Sequence, residues 1–131
     1  NSYTDALDYT GSGLYSYDML LTYWFNDKGQ LYSASYSMQN NAFFDTVNNL
    51  TEGLRRDYGE PHESSYFSSA NTAVAFGSQD EAIKAVDNDG TYYYAAYQDA
   101  FGTQIELYAQ KKDDGYDYWV YFTDYTYYSG N

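Results

Sequence analysis

The sequence predicts an α+β domain, an antiparallel sheet of about five strands with one main helix packed on one face. Three observations carry that expectation. Residues 40–61 hold one apolar stripe at helical spacing. Residues 15–38 alternate apolar and polar in two runs parted by a turn. From residue 91 onward, three more alternating runs are separated by turns that end in glycine. The element order reads ββα(β)(α)βββ, where the bracketed elements are short candidates. The 131 residues suit one domain. Its expected extent is 14–128, with residues 1–13 as an N-terminal arm or tether.

In chain order, residues 1–13 are polar and close on Gly11-Ser12-Gly13, a linker-like composition. Tyr15, Tyr17, Met19, Leu21, Tyr23 and Phe25 then fall on one strand face, with Ser16, Asp18 and Thr22 on the other. After Asn26-Asp27-Lys28-Gly29 the alternation resumes with Tyr32, Ala34, Tyr36 and Met38. A four-residue loop pairs Phe25 with Gln30, Tyr23 with Tyr32 and Leu21 with Ala34, which puts both apolar sets on the same face. The main helix is expected over about residues 41–58. Phe43, Val47, Leu50, Leu54 and Tyr58 form its stripe, Asn40 or Asn41 can cap it, Gly59 suits the position after its end, and Pro61 stops it.

Residues 62–71 read as an irregular crossing and 72–76 as a short strand candidate. Ser78-Gln79-Asp80-Glu81 has capping-box spacing ahead of Ala82, Ile83, Ala85 and Val86, which favours a short second helix over a strand at 82–86. The last three strands form a meander, with turns at Asp99-Ala100-Phe101-Gly102 and Lys112-Asp113-Asp114-Gly115. Those turn lengths pair Tyr94 with Leu107, Ala96 with Ile105, Leu107 with Val120 and Ile105 with Phe122. One face then gathers Tyr94, Ala96, Ile105, Leu107, Ala109, Val120 and Phe122 as core. The opposite face carries Tyr93, Tyr97, Gln104, Glu106, Tyr108, Asp117, Trp119 and Tyr121. A bulge in any of these turns shifts the register by one residue.

Six basic against nineteen acidic residues give a net charge of −13. Phosphate backbones and anionic lipid surfaces are repelled by such a chain, so neither nucleic acid nor an anionic membrane is an expected partner. No apolar run approaches the roughly 18 residues of a membrane-spanning helix, so no membrane insertion is expected. Twenty tyrosines, seven phenylalanines and two tryptophans exclude a disordered acidic chain. There is no cysteine, hence no disulfide and no thiolate chemistry. The surplus of Tyr, Ser, Asn, Asp and Gly over Lys resembles an extracytoplasmic bacterial domain, secreted or attached to the cell surface and part of a longer chain.

No catalytic residue, metal ligand or cofactor is expected. His62 lies in a polar loop with no serine in a nucleophile-elbow context to accompany it. The pairs Glu60 with Glu63 and Asp113 with Asp114 are adjacent acids in an acid-rich chain, with no cleft to span. Asp87-Asn88-Asp89-Gly90 is similar to part of a calcium loop, but Ala85 stands where that loop needs an acid. Asn49-Leu50-Thr51 fits a glycosylation sequon inside the expected helix, and Arg55-Arg56 suits pairing with Glu52. The candidate binding residues are Tyr93, Tyr97, Tyr108, Trp119 and Tyr121. Such rings offer flat apolar area with a polar rim, suited to a protein or glycan partner.

The run from Tyr23 to Leu31 (YWFNDKGQL), then Leu54-x-x-x-Tyr58-Gly59-x-Pro61 and the tyrosine-rich meander, resembles small α+β domains of uncharacterised Gram-positive surface lipoproteins. These are similar to the β-lactamase-inhibitor-protein-like architecture, and the likeness covers about residues 14–125. It implies a curved antiparallel sheet with helices on one face and an envelope location, and it brings no catalytic residues. The functional expectation is a non-catalytic extracytoplasmic binding module. The alternatives are a structural or interdomain-packing domain of a larger surface protein and an enzyme inhibitor of the β-lactamase-inhibitor-like type.

Overall fold

The computed structural model of the protein describes residues 5–125, and for residues 5–12 it describes the backbone alone. Residues 1–4 of the expected arm and 126–128 of the expected domain lie outside the described residues. The elements, in chain order, are β1 (Asp5–Leu14), β2 (Tyr17–Phe25), β3 (Leu31–Asn40), α1 (Phe43–Tyr58), β4 (Glu63–Phe67), β5 (Ala73–Val74), α2 (Gln79–Asp89), β6 (Tyr92–Gln98), β7 (Gln104–Lys112) and β8 (Gly115–Thr123). The strands form one antiparallel sheet of eight in the order β1-β2-β3-β8-β7-β6-β4-β5. Two meanders, β1–β3 and β6–β8, thus meet at the β3–β8 seam. Both helices lie on one face.

The expected sheet of about five strands with one main helix is therefore corrected on both counts. Asp5–Leu14 is an edge strand rather than a tether: it pairs with β2 from Asp5↔Phe25 to Leu14↔Tyr17, with a bulge between Tyr9 and Ser12. Glycine and serine concealed it, because backbone pairing at a bulge needs no apolar side chain. Its turn is equally cryptic. Tyr15 and Ser16 form a two-residue hairpin turn with φ of 50° and 74°, a left-handed pair usually signalled by Asn-Gly. β4, ESSYF, was concealed by its polarity, which suits a strand near the edge of a sheet.

The 78–86 region resolves as helix. Ser78 Oγ accepts a hydrogen bond from Glu81 N at 3.2 Å, and Glu81 Oε1 accepts from Gly77 N at 2.9 Å. Gly90, at φ 73°, closes α2 in the left-handed conformation.

The helix stripe behaves as its spacing requires. Phe43, Val47, Leu50 and Leu54 are buried, each worth about 1.5–3 kcal/mol of transfer free energy. Tyr58 is half-buried against Phe122. Neither Asn40 nor Asn41 caps α1. The N-cap is Ala42, and Asn40 instead bonds Thr46 Oγ1 and the Ala42 N–H while accepting from the Tyr118 hydroxyl. Gly53 sits inside the helix for a packing reason: a Cβ there would stand 2.5 Å from the Tyr15 ring. Tyr15 is held against that spot by a 2.7 Å bond from its hydroxyl to Asp57 and by the Arg56 guanidinium over its ring. Arg55 pairs with Glu52 and Glu60, as its helix position allows.

Register differs from expectation in two hairpins and for one shared reason. Asn26–Gln30 and Asp99–Thr103 are built alike. The first residue's backbone N–H donates to the carbonyl of the fifth (2.9 and 3.1 Å), its side chain accepts from two backbone N–H groups further along, and glycine takes positive φ fourth. This is the three-residue turn with a left-handed glycine, one residue out of step with the expected four-residue loop. In the first hairpin a bulge at Tyr32 adds a second step, giving Phe25↔Leu31, Tyr23↔Ala34 and Leu21↔Tyr36. Two steps restore parity, so the apolar sets still share the helix face, while the bulge leaves Tyr32 beside Ser33 on the other.

In the second hairpin nothing compensates. Tyr94 pairs with Tyr108, Ala95 with Leu107 and Tyr97 with Ile105. Tyr93, Ala95 and Tyr97 therefore enter the helix face in place of Tyr94 and Ala96. Leu107↔Val120 and Ile105↔Phe122 stand as expected.

Candidate functional site: the outer face of the sheet

The face away from the helices is set by strand parity. One row across it runs Trp24, Ser33, Thr123, Gln104; the next Thr22, Ser35, Tyr121, Glu106, Ala96; the next Leu20, Ser37, Trp119, Tyr108, Tyr94. Large rings thus alternate with small hydroxyl residues, and the small ones form a floor. Ser33 Oγ and Thr123 Oγ1 lie 2.9 Å apart beneath the rings, and Trp24 reaches from β2 onto β3 to donate Nε1 to Ser35 Oγ at 3.1 Å. Between the walls lies an open groove of about 470 Å³, within the size range of small-ligand sites. Trp24, Tyr32, Tyr108, Trp119, Tyr121 and Tyr125 are its aromatic lining, and Glu106 is the one charged residue among its lining residues.

From the groove a band of rings continues toward β4. Trp119 and Tyr121 stack with centroids 5.7 Å apart and planes 11° from parallel. Tyr108 meets Tyr121 edge-on at 5.9 Å, Tyr94 meets Tyr108 at 5.0 Å, and Phe67 closes the series against Tyr92 and Tyr94. Their polar rims are aimed at carboxylates. The Tyr94 hydroxyl donates to Glu106 Oε2 at 2.6 Å and Tyr125 to Glu106 Oε1 at 3.3 Å. Trp119 Nε1 donates to Asp117 Oδ2 at 2.8 Å, where the Gln110 amide also donates.

Burial first, then the bond to Glu106, raises the Tyr94 hydroxyl pKa. Burial and the Glu106 charge push Tyr108 up to about 12, and burial with Asp117 raises Tyr121. At neutral pH these hydroxyls are therefore protonated donors.

Basic residues keep away from the middle of the outer face. Arg55, Arg56 and Lys84 lie on the helices, Lys111 pairs with Asp87 on the helix side, and Lys28 and Lys112 stand at hairpin ends. Among the described residues no cation pairs with Glu106 or Asp117. A second crevice, of about 450 Å³, opens between α1 and α2 beside Phe44, Phe76 and Tyr93, with no charged residue in its lining.

Of the expected binding residues, Tyr108, Trp119 and Tyr121 come together on the outer face. The one-residue slip of β6 sends the other two across: Tyr97 is 1% exposed in the core, and Tyr93 packs beside Tyr66 on the helix side. Tyr92 and Tyr94 take their places. Trp24 was within reach of simple alternation, sharing parity with Thr22. Tyr32 arrives through a bulge and Tyr125 follows the last strand, so neither had a periodic signal.

The other sequence candidates resolve as structure. Asp87 accepts from the Tyr116 hydroxyl at 2.6 Å, Asp113 occupies a turn with φ 52°, and exposed Asn49 donates to the Tyr17 hydroxyl. His62 is exposed, with Nε2 3.4 Å from Gln104 Oε1. No group of three or more His, Asp or Glu among the described residues is placed to hold a metal ion, and no described helix is long and apolar enough to cross a membrane. Comparisons with protein-family models, curated proteins and solved structures found no match to the chain.

Proposed function

We propose that the protein is a non-catalytic, extracytoplasmic binding module that takes a protein or glycan ligand on the outer face of its sheet. One observation carries this reading. Both helices cover the same face, while the other presents a groove walled by six aromatic side chains over a floor of hydroxyl groups. Large contiguous aromatic surface is uncommon on a domain that binds nothing, and rings with satisfied polar rims give contact area at low entropic cost. The extracytoplasmic setting is supported by composition, poor in lysine and rich in Tyr, Ser, Asn, Asp and Gly.

Acrylamide quenching of the Trp24→Phe variant isolates Trp119. Strong quenching is expected, and a Trp119 as shielded as a core tryptophan overturns the reading in favour of an interdomain-packing role. In a glycan and protein screen, Tyr121→Ala should lose whatever ligand the wild type retains while the fold persists.

A further inference from the structure

We infer that the groove receives the basic side chain, lysine or arginine, of a protein partner, with the cation at Glu106 and the stem or guanidinium plane against the surrounding rings. This rests on the binding reading above and names its ligand. Several features favour a cation over a neutral sugar. Glu106 is partly buried among aromatic rings, and no described basic residue neutralises it. A carboxylate drawn out of water gains most from a cationic partner. Each of its oxygens accepts one hydrogen bond, from Tyr94 and from Tyr125, so acceptor capacity remains on both.

The groove walls are ring faces and edges of Trp and Tyr, the surfaces over which ammonium and guanidinium groups are attracted. Of the six basic residues only Lys112, at the β7–β8 hairpin end, shares the strand parity of the outer face, so the middle of that face, with Glu106 and Asp117, is acidic in a molecule of net charge −13. That field draws basic partners in and repels acidic ones. A basic side chain on a peptide also has what an amino sugar lacks, an apolar stem long enough to lie along the rings.

The test follows the indole N–H signals of Trp24 and Trp119 by NMR in ¹⁵N-labelled protein. The probes are Nα-acetyl-arginine methylamide, Nα-acetyl-lysine methylamide, the neutral citrulline counterpart and a neutral glucose oligomer. The arginine and lysine probes are expected to move both signals and the neutral probes to leave them. Glu106→Gln should weaken the basic probes about tenfold or more, while Glu52→Gln on α1 leaves them unchanged. Equal binding of arginine and citrulline overturns the inference, as does an unchanged affinity in Glu106→Gln. A glucose oligomer that moves the indole signals while the basic probes do not overturns it and leaves the binding module standing. No response to any probe overturns the inference, and combined with a shielded Trp119 it removes the binding module as well.

Discussion

The two faces of the sheet are built from the same strands and the same residue types, yet they are organised differently. On the helix side, Tyr97 and Tyr118 are sealed from water, and the hydroxyls of Tyr118 and Tyr116 end on Asn40 and Asp87. On the outer side, Tyr108, Trp119 and Tyr121 are half-covered, and the polar rims of the band end on Glu106 and Asp117. A tyrosine is equally at home in either setting, since its ring packs and its hydroxyl finds an acceptor. What separates core from candidate site is parity along the strand rather than composition.

The largest expected break in that comparison is alkaline. Burial holds Tyr97 and Tyr118 up to about 12, against about 10 in an unfolded chain. Above pH 10 the unfolded state releases these protons while the folded state keeps them. The unfolded state then binds fewer protons, and stability falls as pH rises from about 10 to about 12. Absorbance of tyrosinate followed against pH should show Tyr97 and Tyr118, and with them the raised Tyr94 and Tyr108 of the outer face, ionising together with loss of circular dichroism. Ionisation of every tyrosine near pH 10 with the fold intact would refute the burial of Tyr97 and Tyr118 on the helix side.

Next in size is Leu50→Ala, which empties a fully buried site and should cost about 2–5 kcal/mol in urea denaturation. Gly53→Ala comes third. Helix propensity favours alanine by about 1 kcal/mol, but the contact with Tyr15 opposes it with an overpacking cost of about 1–3 kcal/mol. The variant should be less stable than wild type, and in a Tyr15→Gly background the same change should become stabilising. A same-signed effect in both backgrounds would refute the Tyr15 contact as the reason for the glycine. Last is Trp119→Phe, which keeps a ring on the outer face and loses one hydrogen bond to the Asp117 carboxylate, about 1.5 kcal/mol. Its stability loss should be well below that of Leu50→Ala.

The helix stripe, the cap of α2 and the β7–β8 register were legible because each rests on spacing within a short stretch. Ser78 and Glu81 stand at capping distance, and Leu107 and Ile105 find Val120 and Phe122 because the two-residue turn at Asp113-Asp114, with Lys112 paired to Gly115, keeps the same register as the expected four-residue loop. The register failures are one-residue events. Asp99-Ala100-Phe101-Gly102-Thr103 is a three-residue turn, although its glycine also suits a four-residue loop. That single step moved Tyr93 and Tyr97 into the core. The same step occurs at Asn26–Gln30 and is cancelled at Tyr32, where nothing in the local sequence announces a bulge. β1 escaped notice because a strand carrying Gly11, Ser12 and Gly13 is defined by its partner and not by its own side chains.

The seam between β3 and β8 has a consequence for how the molecule comes into being. Ser33 meets Thr123, and Asn40 meets Tyr116, so the central pairing of the sheet joins segments from opposite ends of the sequence. Until β8 has been synthesised, the β1–β3 meander carries an unpaired inner edge, a template for mispairing with other chains. Closing such distant segments carries a loop-entropy cost before any contact rewards it, so the β3–β8 seam is expected to form after the two meanders it joins.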